Sequence, residues 1–143
     1  MFEPIRNKLK DKLETINSIQ EVSDYPNEEF NGFPAVVVAS TRNEAEFEDT
    51  AHNKRTYVFT LFIIQENEAI GGDDTKQKAM RIVEGVVDDI MEALDKDQLL
   101  TGINLPSNET MIISFPLLTD IVSTVKYTTA EIEVNVVISF NIT

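Results

Sequence analysis

Ala130-Glu131-Ile132-Glu133-Val134-Asn135-Val136-Val137-Ile138-Ser139-Phe140-Asn141-Ile142 decides the architecture. Apolar side chains alternate with Glu131, Glu133, Asn135, Ser139 and Asn141, and only Val137 interrupts the polar set. A period of two sends successive side chains to opposite faces, so this stretch is a strand with one face buried and one wet. Upstream, Thr56 to Gln65 is another strand, apolar on both faces, with Tyr57, Phe59, Leu61 and Ile63 on one and Val58, Thr60, Phe62 and Ile64 on the other. Ala35-Val36-Val37-Val38-Ala39 is short and β-branched, the pattern of a strand buried on both faces. Thr110 to Phe115 predicts a strand halted by Pro116, and Ser123 to Tyr127 is a candidate for one more.

Two amphipathic segments frame these strands. Ile5, Leu9, Leu13, Ile16 and Ile19 recur at spacings of three and four, one apolar stripe along about four helical turns, with Pro4 suited to the first turn. Tyr25-Pro26-Asn27 breaks the pattern. Ala79, Ile82, Val83, Val86, Val87, Ile90, Met91 and Leu94 trace a second helix, preceded by Gly71-Gly72-Asp73-Asp74. Asp74 and Gln77 fit a capping box. Asp95 to Glu109 reads as loop, punctuated by Gly102 and Pro106. The expected order is α-β-β-α-β-(β)-β: an α+β class domain over residues 1–143, an antiparallel β-sheet with two α-helices packed on one face.

Composition narrows the chemistry. The chain has 143 residues, 12 Lys+Arg against 25 Asp+Glu, a net charge of −13, no Cys and one His. Disulfides, thiolate nucleophiles and Cys-ligated metals are excluded, and His52 leaves little for a His-based metal site or a triad. The acidity opposes attraction to nucleic acid or anionic lipid. The charged N-terminus and short apolar runs predict neither a signal peptide nor a membrane span, so synthesis in the cytoplasm and no membrane partner are expected.

Individual motifs carry little reactivity. Glu84, Asp88 and Glu92 form a ladder at steps of four, but helix carboxylates alone rarely complete an oxygen shell for Ca²⁺ or Mg²⁺, and a solvated or interface face is the simpler reading. Asp73 and Asp74 are explained by helix capping. The five glycines form no phosphate-binding loop. His52 stands on an acidic segment without a partnered nucleophile. Hence no catalytic residue, no metal ligand and no cofactor are expected. What remains is uneven charge: Arg6, Lys8, Lys10 and Lys12 on the first helix, and an acidic stretch from Thr41 to Arg55 containing Glu44, Glu46, Glu48 and Asp49. That stretch is too long for an ordinary hairpin connection and reads as a functional loop. A sheet with apolar residues on both faces, and helices on one, needs a partner over part of the other.

Gly32-Phe33-Pro34-Ala35-Val36-Val37-Val38, the acidic stretch reaching Asp49-Thr50 and Asn53, and Arg55-Thr56-Tyr57-Val58-Phe59 leading a strand together resemble the tail terminator (tail completion) proteins of long-tailed bacteriophages. The layout, with a helix of about twenty residues, a strand pair, a second helix and a closing strand, is similar over nearly the whole chain. The resemblance implies a virion protein of the tail or neck that forms a hexameric ring, caps the tail tube, ends its polymerisation and offers a surface for head–tail joining. The partners it implies are copies of the chain, the tail tube protein and a head-completion or connector protein, with DNA passing through unbound and no reaction catalysed. On that basis Arg6, Lys8, Lys12, Glu44, Glu46, Phe47, Glu48, Asp49, His52 and Arg55 are the expected partner or subunit contacts. Glu44, Glu46, Glu48 and Asp49 are the expected channel-facing acids, repelling DNA in transit. The competing readings are a head completion or connector component of the neck, a small acidic binding module outside phage, and an enzyme using divalent metal at the helix carboxylates.

Overall fold

The computed structural model describes residues 1–47, 52–68, 72, 74–96, 105, 109–114 and 116–141. Along the chain the elements are α1 (Phe2–Glu14), β1 (Glu21–Asp24), β2 (Ala35–Phe47), β3 (His52–Glu66), α2 (Thr75–Lys96), β4 (Glu109–Ile113), β5 (Leu117–Ser123) and β6 (Tyr127–Asn141). The strands form one curled sheet in the order β1-β2-β3-β6-β4, with β5 also paired to β6. An α+β architecture is therefore observed.

The sheet is mixed, against the antiparallel expectation. β1 runs parallel to β2, Glu21 to Asp24 registering with Ala35 to Val38. Glu-Val-Ser-Asp holds a single apolar residue, so no periodicity marks it. Its backbone is tied in at both ends, Gln20 N–H donating to Pro34 O at 2.9 Å and Tyr25 N–H to Val38 O at 3.0 Å. The remaining pairings are antiparallel. β4 and β5 lie one after the other along the same edge of β6, at Val136–Phe140 and Thr128–Glu133 respectively. Pro116, which lacks an N–H for the ladder, falls at the break between them. In the segment Ser123 to Tyr127, a candidate strand, Ser123 ends β5 and Tyr127 starts β6, and the residues between them are a turn closed by Thr124 N–H to Tyr127 O at 2.7 Å.

The described part of the stretch Thr41 to Arg55 is strand and not loop: β2 continues to Phe47 and β3 begins at His52, with rungs from Arg42–Val58 to Phe47–Asn53. Acidic side chains are poor strand formers by composition, yet here they project from a ladder whose backbone bonds are satisfied by β3. Thr41 is the extra residue of a bulge between Ser40 and Arg42, its hydroxyl 2.8 Å from that of Thr60.

α1 is also shorter than its stripe suggests. The Thr15 hydroxyl donates to Lys12 O at 2.6 Å, a local bond that competes with helix continuation, and turns follow. Ile16 and Ile19 still pack against the core from those turns.

Both helices lie on one side of the sheet, as expected. Ile5, Leu9 and Leu13 of α1 and Val83, Val86, Val87, Ile90 and Leu94 of α2 pack on Val36, Val38, Phe59, Leu61, Ile63 and the alternate residues Ala130 to Ile138 of β6. Phe2 sets its ring edge-to-face against Tyr57 and Phe59, at 4.9 and 5.7 Å. Each aliphatic side chain so buried contributes about 1.5–3 kcal/mol. α2 starts at a left-handed residue, Asp74 (φ 57), whose carbonyl accepts from Lys78 N–H at 3.0 Å. Asp tolerates that backbone region better than most residues.

Candidate functional site

The face of the sheet turned away from the helices presents Val37, Val58, Thr60, Phe62 and Ile64, with Thr129, Glu131, Glu133 and Asn135 of β6 in register beside them. One end is covered by the chain itself. Across the connection from β1 to β2, Tyr25 stands over Phe62 at 6.2 Å between ring centroids, Phe33 over Tyr127 at 6.2 Å, and Phe30 against Phe33 at 5.7 Å. Beneath this cover Ala35 and Val37 are buried. A partner is thus not required there, which narrows the expectation that one must cover this face. An open groove of about 210 Å³ remains, lined by Tyr25, Asn27, Val37, Phe62, Ile64 and Thr129.

Beyond the groove the same face is bare. Leu117 registers with Glu133, Val122 with Thr129 and Ile112 with Val137. These three side chains are 61%, 43% and 52% exposed, and Tyr25 at the other end is 64% exposed. Scattered exposed apolar residues are ordinary, but a row on one sheet face is the composition of a contact surface. Leu117-Leu118 and Ile121-Val122 carried the signal in the sequence; without the β5–β6 register, their face was not assignable.

The charged candidates separate. Arg42 bridges the open face, its Nε donating to Glu44 Oε1 at 2.8 Å and its Nη2 to Glu133 Oε1 at 3.5 Å. The bonded Glu44 carboxylate raises the guanidinium pKa further above its usual value, so Arg42 stays charged at any working pH. Arg55 donates to Asn43 Oδ1 at 3.1 Å within the same hairpin. Glu46 and Phe47 register with Lys54 and Asn53, and His52 with Asn141. Glu48 and Asp49 lie outside the described residues.

Part of the basic cluster on α1 is used internally. Arg6 Nε and Lys10 Nζ both approach the Asp24 carboxylate, at 3.5 and 3.3 Å, and Arg6 Nη1 donates to Ser40 Oγ at 3.2 Å. Arg6 thus fastens α1 over β1 and β2. Lys8 is half-buried, and Lys12 is likewise engaged within the chain. Among the described residues, Arg6 and Lys10 pair with Asp24, whereas Glu44 pairs with Arg42.

The outer face of α2 is the other charged surface. Lys76, Lys78 and Arg81 precede Glu84, Asp88, Asp89, Glu92 and Asp95, all exposed. Lys76 and Lys78 occupy the first turn, where the helix dipole disfavours positive charge by about 0.3–1 kcal/mol each. Gly85 sits between the two blocks, and a Cβ there would meet nothing within 4 Å. Relative to Ala it weakens the helix by about 0.5–1 kcal/mol. Among the described residues no group of three or more His, Asp or Glu is placed to hold a metal ion. No described helix is long and apolar enough to cross a membrane.

A buried polar knot escaped the sequence reading. Asn67, beyond the end of β3, donates from Nδ2 to Thr124 O at 2.9 Å and accepts at Oδ1 from the Thr128 hydroxyl at 2.8 Å, while its N–H reaches Lys126 O at 2.8 Å. It pins β3 to the β5–β6 turn. No protein-family model and no curated protein matches the chain.

Proposed function

We propose that this chain is a structural subunit that assembles with copies of itself into a ring, caps the end of a phage tail tube, ends its polymerisation and offers a surface for head–tail joining, without catalysing a reaction. The observation that carries the reading is the helix-free sheet face, where Leu117, Val122 and Ile112 are exposed on β5 and β4 and Tyr25 borders an open groove at the other side. A subunit that works by mating needs such a surface.

Two further features support the reading. The β2–β3 hairpin runs on beyond β1, so the outer edge of β2 from Ala39 is left unpaired by β1 and carries polar side chains as well as Glu44. Net −13 per subunit would make a ring repellent to DNA in its channel, letting the genome pass without binding. A ring closes when the same two unlike patches meet at every interface, which suits a molecule whose sheet face and hairpin edge differ in character. In this reading the location is the tail or neck of the virion.

The test is addition of the purified chain to polymerising tail tube protein. Ring-capped tubes of limited length support the reading. Retention by a portal-side adaptor, with no effect on tubes, reassigns the chain to head completion; a species that binds neither is a binding module of another kind.

A further inference from the structure

We infer that Asn31–Gly32 is a self-modification site, where the chain converts its own asparagine through a cyclic imide to isoaspartate and so loosens the aromatic cover of the open sheet face. Of the asparagines in the chain, Asn31 alone is followed by glycine. The pair lies in the bend leading into β2, and Asn31 is exposed. Among the described residues the Asn31 carboxamide and the Gly32 N–H have no hydrogen-bond partner, while the Asn31 N–H donates to Glu21 Oε2 at 3.0 Å. The carboxamide is thus free to turn onto the next backbone nitrogen, and that residue has no Cβ to block the approach. Asn27, in the same connection, is the contrast. Its Nδ2 donates to Ser23 Oγ at 2.9 Å, its Oδ1 accepts from Glu29 N–H at 3.1 Å, and its follower is Glu28.

The chemistry needs only water. Gly32 N attacks Asn31 Cγ as its proton passes to solvent, the bond from Cγ to the side-chain nitrogen breaks, and ammonia leaves. Water then opens the imide. Cleavage between Gly32 N and Cγ gives aspartate. Cleavage between Gly32 N and the Asn31 backbone carbonyl carbon gives isoaspartate, with the chain running through Cβ and Cγ and the former backbone carbonyl freed as a carboxylate. Nothing is oxidised or reduced. Either product sets a carboxylate beside Glu21, the group that anchors this bend, and like charges at that range repel. Isoaspartate also lengthens the backbone by an atom between Phe30 and Phe33, whose rings are 5.7 Å apart, and Phe33 is the ring set over Tyr127. Gly32 is already close to its neighbour: a Cβ there would lie 3.2 Å from Gln20 Cβ. The added atom therefore displaces Phe33 and uncovers Ala35 and Val37, both buried in the unmodified chain.

The site needs no second copy and no tail tube, so it stands apart from the ring reading. Incubating the purified full chain in mildly alkaline buffer tests it, with peptide mass spectrometry and hydrogen–deuterium exchange as readouts. The mass gain of an amide-to-acid conversion should accumulate at Asn31, mostly as isoaspartate, while Asn27 stays an amide. Its rate should lie within about tenfold of that of a free peptide spanning residues 28–34, since the fold adds little to the barrier. Backbone amides of residues 25–37 should exchange faster in the aged protein than in the fresh. Asn31→Gln, which requires a larger imide ring at an exposed position, should keep both its mass and its exchange pattern on ageing. An aged chain whose Asn31 is intact, or converts more slowly than that bound, overturns the inference. So does a modified chain with unchanged exchange over residues 25–37, or faster exchange that appears equally in aged N31Q.

Discussion

Arg42 of β2 reaches Glu133 of β6 across the intervening β3, Nη2 to Oε1 at 3.5 Å, while its Nε holds Glu44. To do so the side chain passes the β3 rungs Val58 and Thr60, and Val58 is buried on a sheet face that no helix covers. Arg42 is exposed and Glu133 partly so, at 3.5 Å, so the direct electrostatic contribution is small: a double-mutant cycle of Arg42→Ala and Glu133→Ala in urea should give coupling below about 1 kcal/mol. The coupling should fall further in high salt. A coupling of several kcal/mol, unmoved by salt, would mean the pair is shielded from water.

Val86→Asp should prevent folding. Val86 is buried between α2 and the sheet, where an unpaired carboxylate has neither water nor a partner. Circular dichroism during heating checks this, and a cooperative melt like that of wild type would show that α2 presents another face.

Asn67→Leu should destabilise the chain by about 2–3 kcal/mol, more than its single side chain suggests. The change removes the acceptor of the buried Thr128 hydroxyl, leaving it only Ser123 Oγ at 3.1 Å, and the donor to the Thr124 carbonyl, while leaving the backbone bond to Lys126. Denaturant titration reads the effect; a loss under about 0.5 kcal/mol, the range of an ordinary surface site, would show that water satisfies these groups instead.

The triple change Glu44→Lys, Glu46→Lys and Glu48→Lys should leave the melting temperature within a few degrees and impair assembly or DNA passage. Glu44 is exposed on the hairpin, and exposed substitutions change stability by about 0.5 kcal/mol or less. Here Glu44 also holds Arg42, so a modest extra loss is expected from that bond. Infectious titres at wild-type level would remove the hairpin acids from the account.

The parts of the fold that sequence patterns revealed are those with one wet and one dry face. The alternation in β6 and the stripe of α2 each survive because water on one side and core on the other impose a period. The pattern failed where both sides are wet, as in β2 from Arg42 to Ala45, and where an element is too short to show a period, as in β1. It failed again at Thr15, where a single hydroxyl ends a helix that the apolar spacing would have continued. Legibility of the contact surfaces was partial for a related reason. The charges of α1 and of Glu44 were visible, but their internal partners Asp24 and Arg42 are set by strand register, and the bare face carrying Leu117 and Val122 emerges only when β5 is laid against β6.

Electron microscopy of tail tubes polymerised with and without this protein bears most directly on its proposed role. Tubes carrying one ring at a single end and arrested in length agree with it. Bare-ended tubes of unchanged length, with the protein left in solution, contradict it.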